Sequence, residues 1–170
     1  MRSAAGPASW LVRLYTASQS SGRCWTARTP GSKEDLVDAI RAVWTTVDER
    51  WNARDAEGFS NLFSDEARFG FVNRGEWMDG RAEILRSFLV RFPTIAPEIR
   101  HQSTTHEVRS IAPGVTMVDG AVRILRTGPD ERTEPDVILT FHFFAVMLQT
   151  EDGWRIDELR VVDLPSARNS

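Results

Sequence analysis

The stretch spanning residues 54–92, RDAEGFSNLFSDEARFGFVNRGEWMDGRAEILRSFLVRF, constrains the fold more than any other part of the chain. Its apolar residues change period twice. Phe59, Leu62 and Phe63 recur at helical spacing behind Asp55, whose carboxylate is suited to cap a short helix over 55–63. Over 67–73 the period becomes two, so that Ala67, Phe69 and Phe71 point one way and Arg68, Gly70 and Val72 the other. After a turn at Gly75, Gly80 and Glu83 open a second amphipathic helix with Ile84, Leu85, Phe88, Leu89 and Phe92 on its buried side, and Pro93 and Pro97 end it. Helix, aromatic-faced strand and helix in that order predict the wall of a cup with apolar contents.

The flanking sequence supplies the rest of the cup. Ser32 and Asp35 form a capping arrangement, after which Leu36, Ile40, Val43, Trp44, Val47 and Trp51 recur three or four residues apart, predicting a long helix to about Ala53. Downstream, four extended segments are expected over 99–111, 115–126, 137–148 and 154–164. Turn formers separate them at Pro113-Gly114, Gly128-Pro129-Asp130 and Asp152-Gly153, so an antiparallel meander is predicted. The third segment, VILTFHFFAVML, is apolar on both parities except at Thr140 and His142, which is the pattern of a strand covered on both faces. Helices cover one face, and too few remain for the other. A homodimer packed through the outer sheet face is therefore expected.

Length and charge fit a single domain over 33–165, preceded by an extension over 1–32 and followed by a short tail over 166–170. The extension carries Arg2, Arg13, Arg23 and Arg28 and no acidic residue; without those four, 17 basic residues face 24 acidic ones and the formal charge is -7. An acidic body without a basic stripe argues against nucleic acid, and the lack of any apolar run of about 18 residues argues against a membrane span. Cys24 is the only cysteine, so neither an internal disulfide nor a thiolate metal site is available. The resulting expectation is a cytoplasmic protein with a disordered extension, a transit or export segment being the alternatives. No phosphate loop, nucleophile elbow or His-Glu-x-x-His helix is present, and no cofactor is expected.

Four motifs in order, Trp51-x-Ala53-Arg54-Asp55, Leu62-Phe63-Ser64-Asp65-Glu66-Ala67, Trp77-x-x-Gly80-Arg81-x-Glu83-Ile84 and Asp152-Gly153-Trp154-Arg155-Ile156, resemble the nuclear transport factor 2-like superfamily. The likeness is to its SnoaL-like and ketosteroid-isomerase-like branch of small bacterial proteins, over about residues 34–164. The resemblance implies an α+β fold, with a conical, curved antiparallel sheet wrapped around a long N-terminal helix and two shorter helices. It leaves function open, because the fold hosts isomerases, dehydratases, cyclases, epoxide hydrolases, ligand carriers and oligomerisation modules. Ketosteroid isomerases need a carboxylate base, a Tyr and a protonated Asp. The resemblance puts Val47, Phe71 and Ala145 (or Val146) at those positions, and none of these can move a proton or hold an oxyanion.

What remains is a cup expected to bind a small, largely apolar molecule, lined by Trp44, Val47, Trp51, Phe69, Phe71 and Phe144, with Asn73, Glu76 and Trp77 at the rim. A cofactor-free cyclase, dehydratase or hydrolase is the alternative, with His142 as acid/base and Asp119 or Arg123 as its partner, since Asp119 and Arg123 share strand parity. A dimerisation module with a filled cavity is the third reading. His101 and His106 have opposite parity and make a poor chelating pair, so no metal site is expected.

Overall fold

A computed structural model describes residues 32–128 and 134–164. The extension before Ser32, the Pro129-Asp130 turn and the tail lie outside the described residues. Helix α1 (Lys33–Asn52) starts where Ser32 Oγ accepts from the Asp35 N–H at 3.1 Å, and its stripe of Leu36, Ile40, Trp44, Val47 and Trp51 is buried. Helix α2 (Ala56–Ser60) is capped by Asp55, whose carboxylate accepts from Gly58 N–H at 2.8 Å and is pinned by Arg50 at 2.9 Å. It is shorter than 55–63 because Leu62 and Phe63 are drawn into the sheet: Leu62 O accepts from Ile156 N–H at 2.9 Å and Phe63 pairs with Ile156. Strand β1 (Phe63–Phe71) thus begins before the alternating stretch that announces it.

At Gly75 (φ 65°) the chain turns into a short strand, β2 (Glu76–Asp79), which pairs back on β1 before helix α3 (Arg81–Arg91). Four residues are too few to show a period, and the expected turn-to-helix passage misses β2 for that reason. On α3 and just beyond it, Ile84, Phe88 and Phe92 are buried at four-residue spacing, while Leu89, the next step round the helix, is 53% exposed. The remaining strands are β3 (Ile99–Ala112), β4 (Val115–Arg126), β5 (Asp136–Thr150) and β6 (Gly153–Asp163).

These form one six-stranded sheet in the order β2-β1-β6-β5-β4-β3. Strands β3 to β6 are an antiparallel meander, and β1 joins β6 in parallel, so the N-terminal unit closes onto the last strand. The inner face, with Val118 and Val122 on β4, Phe143 and Met147 on β5 and Ile156 and Leu159 on β6, is buried against α1. The Trp44 and Phe143 rings stack with centroids 4.1 Å apart, and a second aromatic group, Phe59, Phe63, Phe69, Phe88 and Phe92, fills the end under α3. Gly120 makes the first stack possible: a Cβ there would lie 2.5 Å from the Phe143 ring and 2.4 Å from Thr104 O. The chain is α+β, as its resemblance implies.

Two measurements test this account. Asp55→Ala should lower stability by about 1 kcal/mol in urea denaturation, the usual worth of an N-cap. The Gly58 N–H, ahead of Arg50, holds the Asp55 carboxyl below its ordinary 3.8. A depressed carboxyl contributes stability above the unfolded value and loses it as pH falls through the folded one, so the gap between wild type and variant should close as pH drops below 3.8. Gly120→Ala should cost about 1–3 kcal/mol by displacing Phe143 or the β3 backbone, read by the same denaturation.

Candidate functional site

The stack of Trp44 on Phe143 makes odd-numbered residues in this part of β5 inward and even-numbered ones outward, because strand side chains alternate. His142 and Phe144 therefore lie on the outer face, not in the cup. The aromatic that fills the interior is Phe143, 1% exposed, against 36% for Phe144; a displacement of one residue moves a side chain to the opposite face. Asp119 is on the same outer face and meets His142 Nε2 at 2.9 Å. Arg123 is outward too, but its guanidinium donates to Gln102 Oε1 at 2.7 Å and takes no part in that pair.

Trp77 also lies outside the cup, packed flat on Gly70 where no Cβ intervenes, with the Arg68 guanidinium 4.3 Å from its ring. Asn73 Oδ1 accepts from Asp163 N–H at 3.2 Å and ties the β1 end to β6, and Glu76 accepts from Arg91 at 2.7 Å. Trp44, Val47, Trp51 and Phe69 are buried inside, and Phe71 is half-buried beside Phe69. Of the three positions where a ketosteroid isomerase has polar groups, Val47 is buried, Phe71 half-buried, and Ala145 rather than Val146 is the inward member of its pair, fully buried. Two clefts, of about 480 Å³ between β2 and α3 and about 370 Å³ beside Trp77, His142 and Phe144, both open outside the cup.

Inside, the structure assembles a polar group that the apolar stripe conceals. Trp44, Asp48 and Asn52 follow one another at four-residue spacing on α1 and so share a face, which is turned to β3. Asp48 Oδ1 lies 2.6 Å from His101 Nδ1, and the same carboxylate accepts from Ser103 N–H at 3.0 Å and from Ser103 Oγ at 2.9 Å. Asn52 clamps the His101 backbone, accepting from its N–H at 2.8 Å and donating to its C=O at 2.9 Å. The imidazole rests on Trp51 with centroids 5.1 Å apart. Arg54, itself at φ 58°, lies over the other side of this wall: its guanidinium is 4.5 Å from the Trp51 centroid and donates to Ile99 O at 2.7 Å, fixing the start of β3. Burial, and then Arg100, hold Arg54 below its ordinary value.

The chemistry of this arrangement follows from its bonds. A carboxylate is an acceptor only, so it selects the His101 tautomer with the proton on Nδ1 and leaves the lone pair on Nε2. Nε2 has no partner among the described residues. The Ser103 hydroxyl gives its proton to Asp48, not to His101, so no hydroxyl nucleophile is aligned with the imidazole. Side-chain exposures of 11% for His101 and 22% for Asp48 leave the pair within reach of a solute. One turn away, the buried Trp44 Nε1–H has no acceptor among the described residues. The signals for this group were the four-residue spacing of Asp48 and Asn52 on α1 and the shared inward parity of His101 and Ser103.

Asp48→Ala would strand Ser103 N–H and the His101 ring without their acceptor. It should cost about 1–3 kcal/mol in chemical denaturation, whereas Asp48→Asn, which keeps an acceptor oxygen, should cost less.

The sequence pattern of the SnoaL-like domain family matches residues 32–160. No curated protein matches the chain in sequence at a significant level. Among solved structures, a domain of unknown function with a cystatin-like fold from Nostoc punctiforme superposes with a TM-score of 0.66 at 25% identity, covering 80% of this chain and 81% of that one. A nuclear transport factor 2-like protein of unknown function from Shewanella oneidensis gives 0.61 at 18% identity over 75% and 99% of the two chains. A ketosteroid isomerase-like protein from Erwinia carotovora atroseptica gives 0.60 at 14% over 79% and 99%. Since the family match runs from the N-cap of α1 into β6 and so takes in the helix, the β3 wall and the Asp48–His101 pair, the chain belongs to the SnoaL-like domain family.

Proposed function

We propose that this protein is a cofactor-free acid/base enzyme acting on a small, largely apolar molecule that carries a carbonyl or hydroxyl group. The observation that carries this reading is the Asp48–His101 pair, 2.6 Å apart on the inner side of β3, with Nε2 unpartnered among the described residues. In this reading Nε2 takes a proton from a carbon next to the carbonyl, Asp48 stabilises the imidazolium that forms, and the proton is returned either to another carbon or to a departing hydroxyl. Ser103 positions Asp48, Asn52 fixes the His101 backbone and Trp51 supports the ring. A plain carrier for a bulky apolar ligand is less well supported, because Trp44, Val47, Trp51, Phe69 and Phe143 are all buried in one core cluster, with Trp44 stacked on Phe143. His142, the other candidate base, faces outward.

A panel of small cyclic ketones and β-hydroxy ketones in deuterated water, followed by proton NMR, tests the reading. Wild type should exchange or eliminate at least one of them, and His101→Ala should slow it by about 10²–10⁴-fold while His142→Ala leaves it unchanged. Equal rates in His101→Ala and wild type would sink the proposal.

The outer face supports a second copy as its cover. Phe144 is 36% exposed there, next to the half-buried Val146, Leu148 and Val162, and an apolar strip of this kind on a sheet is an interface feature. Sedimentation velocity at micromolar concentration should give a dimer for wild type and a monomer for Phe144→Asp.

A further inference from the structure

The outer face carries a second assembly, built from three consecutive strands, that the inner pair does not use. His142 on β5 and Asp119 on β4 are in contact, with Nε2 3.0 Å from Oδ1 and 2.9 Å from Oδ2. The third member comes from β3. The register between β3 and β4 slips between Thr105, opposite Gly120, and Glu107, opposite Asp119, so His106 is the extra residue of a bulge. Upstream of the slip, even-numbered residues of β3 face outward; downstream, odd-numbered ones do. His106 and Glu107 consequently both lie outside, which an unbroken strand forbids. The bulge brings His106 Nδ1 to 3.8 Å from Asp119 Oδ1, and one ligand atom each from His106, Asp119 and His142 lie within 4.8 Å of one another. A His142–Asp119 hydrogen bond needs neither the bulge nor the second imidazole.

We propose that His106, Asp119 and His142 form a three-ligand site for a divalent transition-metal ion of the zinc type, with the remaining coordination position open to water. Zinc binds imidazole nitrogen and carboxylate oxygen at about 2.0–2.2 Å, which sets neighbouring donors of a tetrahedron about 3.3 Å apart. The two Asp119 contacts, 2.9 and 3.8 Å, bracket that spacing, so rotation of side chains that are 54%, 31% and 44% exposed for His106, Asp119 and His142 closes the set without moving the sheet. Two imidazoles and one carboxylate suit zinc, nickel or cobalt rather than calcium or magnesium, which take oxygen. The local charges agree. Arg123 is turned to Gln102 and Arg160 to Glu158, while Glu107 adds a second carboxylate opposite Asp119. The histidine pair considered from sequence, His101 with His106, is split between the two faces; His106 finds its partners across strands instead. All three ligands belong to one chain, so the stoichiometry is one ion per chain whether or not a second copy covers this face.

The test is zinc titration by calorimetry on full-length, tag-free protein stripped with a chelator, in a Cys24→Ser background that removes the only thiol. One ion per chain is expected, with binding weakened by about tenfold or more in His106→Gln and in His142→Gln. His101→Ala should bind as the parent does. A thermal melt should rise with added zinc in the parent and stay fixed in His106→Gln. His106 is exposed and lies at a bulge, so that variant reports on binding rather than on folding. Absence of zinc binding in the parent, retention of full affinity in His106→Gln, or loss of binding in His101→Ala instead would each overturn the proposal.

Discussion

The position of the Phe143 ring under Trp44 decides which chemistry this sheet presents on each side. The two rings stack at 4.1 Å because Gly120, on the neighbouring strand, has no side chain to hold them apart. Once Phe143 is inward, Phe141, Ala145 and Met147 are inward with it, and the hydrogen-bonded register carries the same decision to β4 and β6. Every polar residue of these strands is then assigned to a face by counting, with slips only where the register breaks. His142 and Asp119 go out; His101 and Ser103, on β3 upstream of its bulge, go in.

The consequence is two histidine–aspartate pairs back to back across one sheet, in different physical surroundings. The inner pair is mostly shielded, and a shielded carboxylate that lacked partners would cost several kcal/mol. Asp48 avoids that by accepting from Ser103 N–H, Ser103 Oγ and His101 together. The same saturation holds the imidazole in one tautomer and one orientation, so what stabilises α1 against β3 also leaves Nε2 without a partner among the described residues. The histidine of the outer pair, 44% exposed against 11% for the inner one, lies in high dielectric, where an isolated ion pair contributes little. Water competes well with a hydrogen bond there, but poorly with a cation held by three ligands.

How much of this was legible beforehand depends on the length and regularity of each signal. The α1 stripe, the meander and the Gly75 turn all announce themselves, because each extends over a full period or carries a residue suited to a backbone conformation that few others adopt. Strand β2 does not, being four residues long, and α2 is shortened by pairing with β6, a partner about ninety residues away that no local pattern reveals. In the site, Trp44, Val47 and Trp51 follow from the stripe. Phe144 was the wrong one of two adjacent phenylalanines: a strand apolar on both parities contains no information about which face is inward. Asp48 stands beside Val47 at the edge of the stripe, and its partners His101 and Ser103 lie 53 and 55 residues on, so no local pattern joins them.

Asp48 places a polar group in a cup that lacks the ketosteroid isomerase set. Val47, Phe71 and Ala145 leave the floor and far wall of the cup apolar, so a charge there would have no partner. Asp48 is the next residue after Val47, and on a helix one step is about 100° of rotation. The rotation takes the carboxylate away from β1, where Phe71 stands, and towards β3, the strand that offers backbone N–H, hydroxyl and imidazole donors in one place. The polar group of this chain therefore sits against β3, beside an apolar floor and an aromatic filling. β3 is an edge strand of the sheet, and His101 and Asp48, 11% and 22% exposed, keep part of their surface open to a solute although the interior behind them is packed.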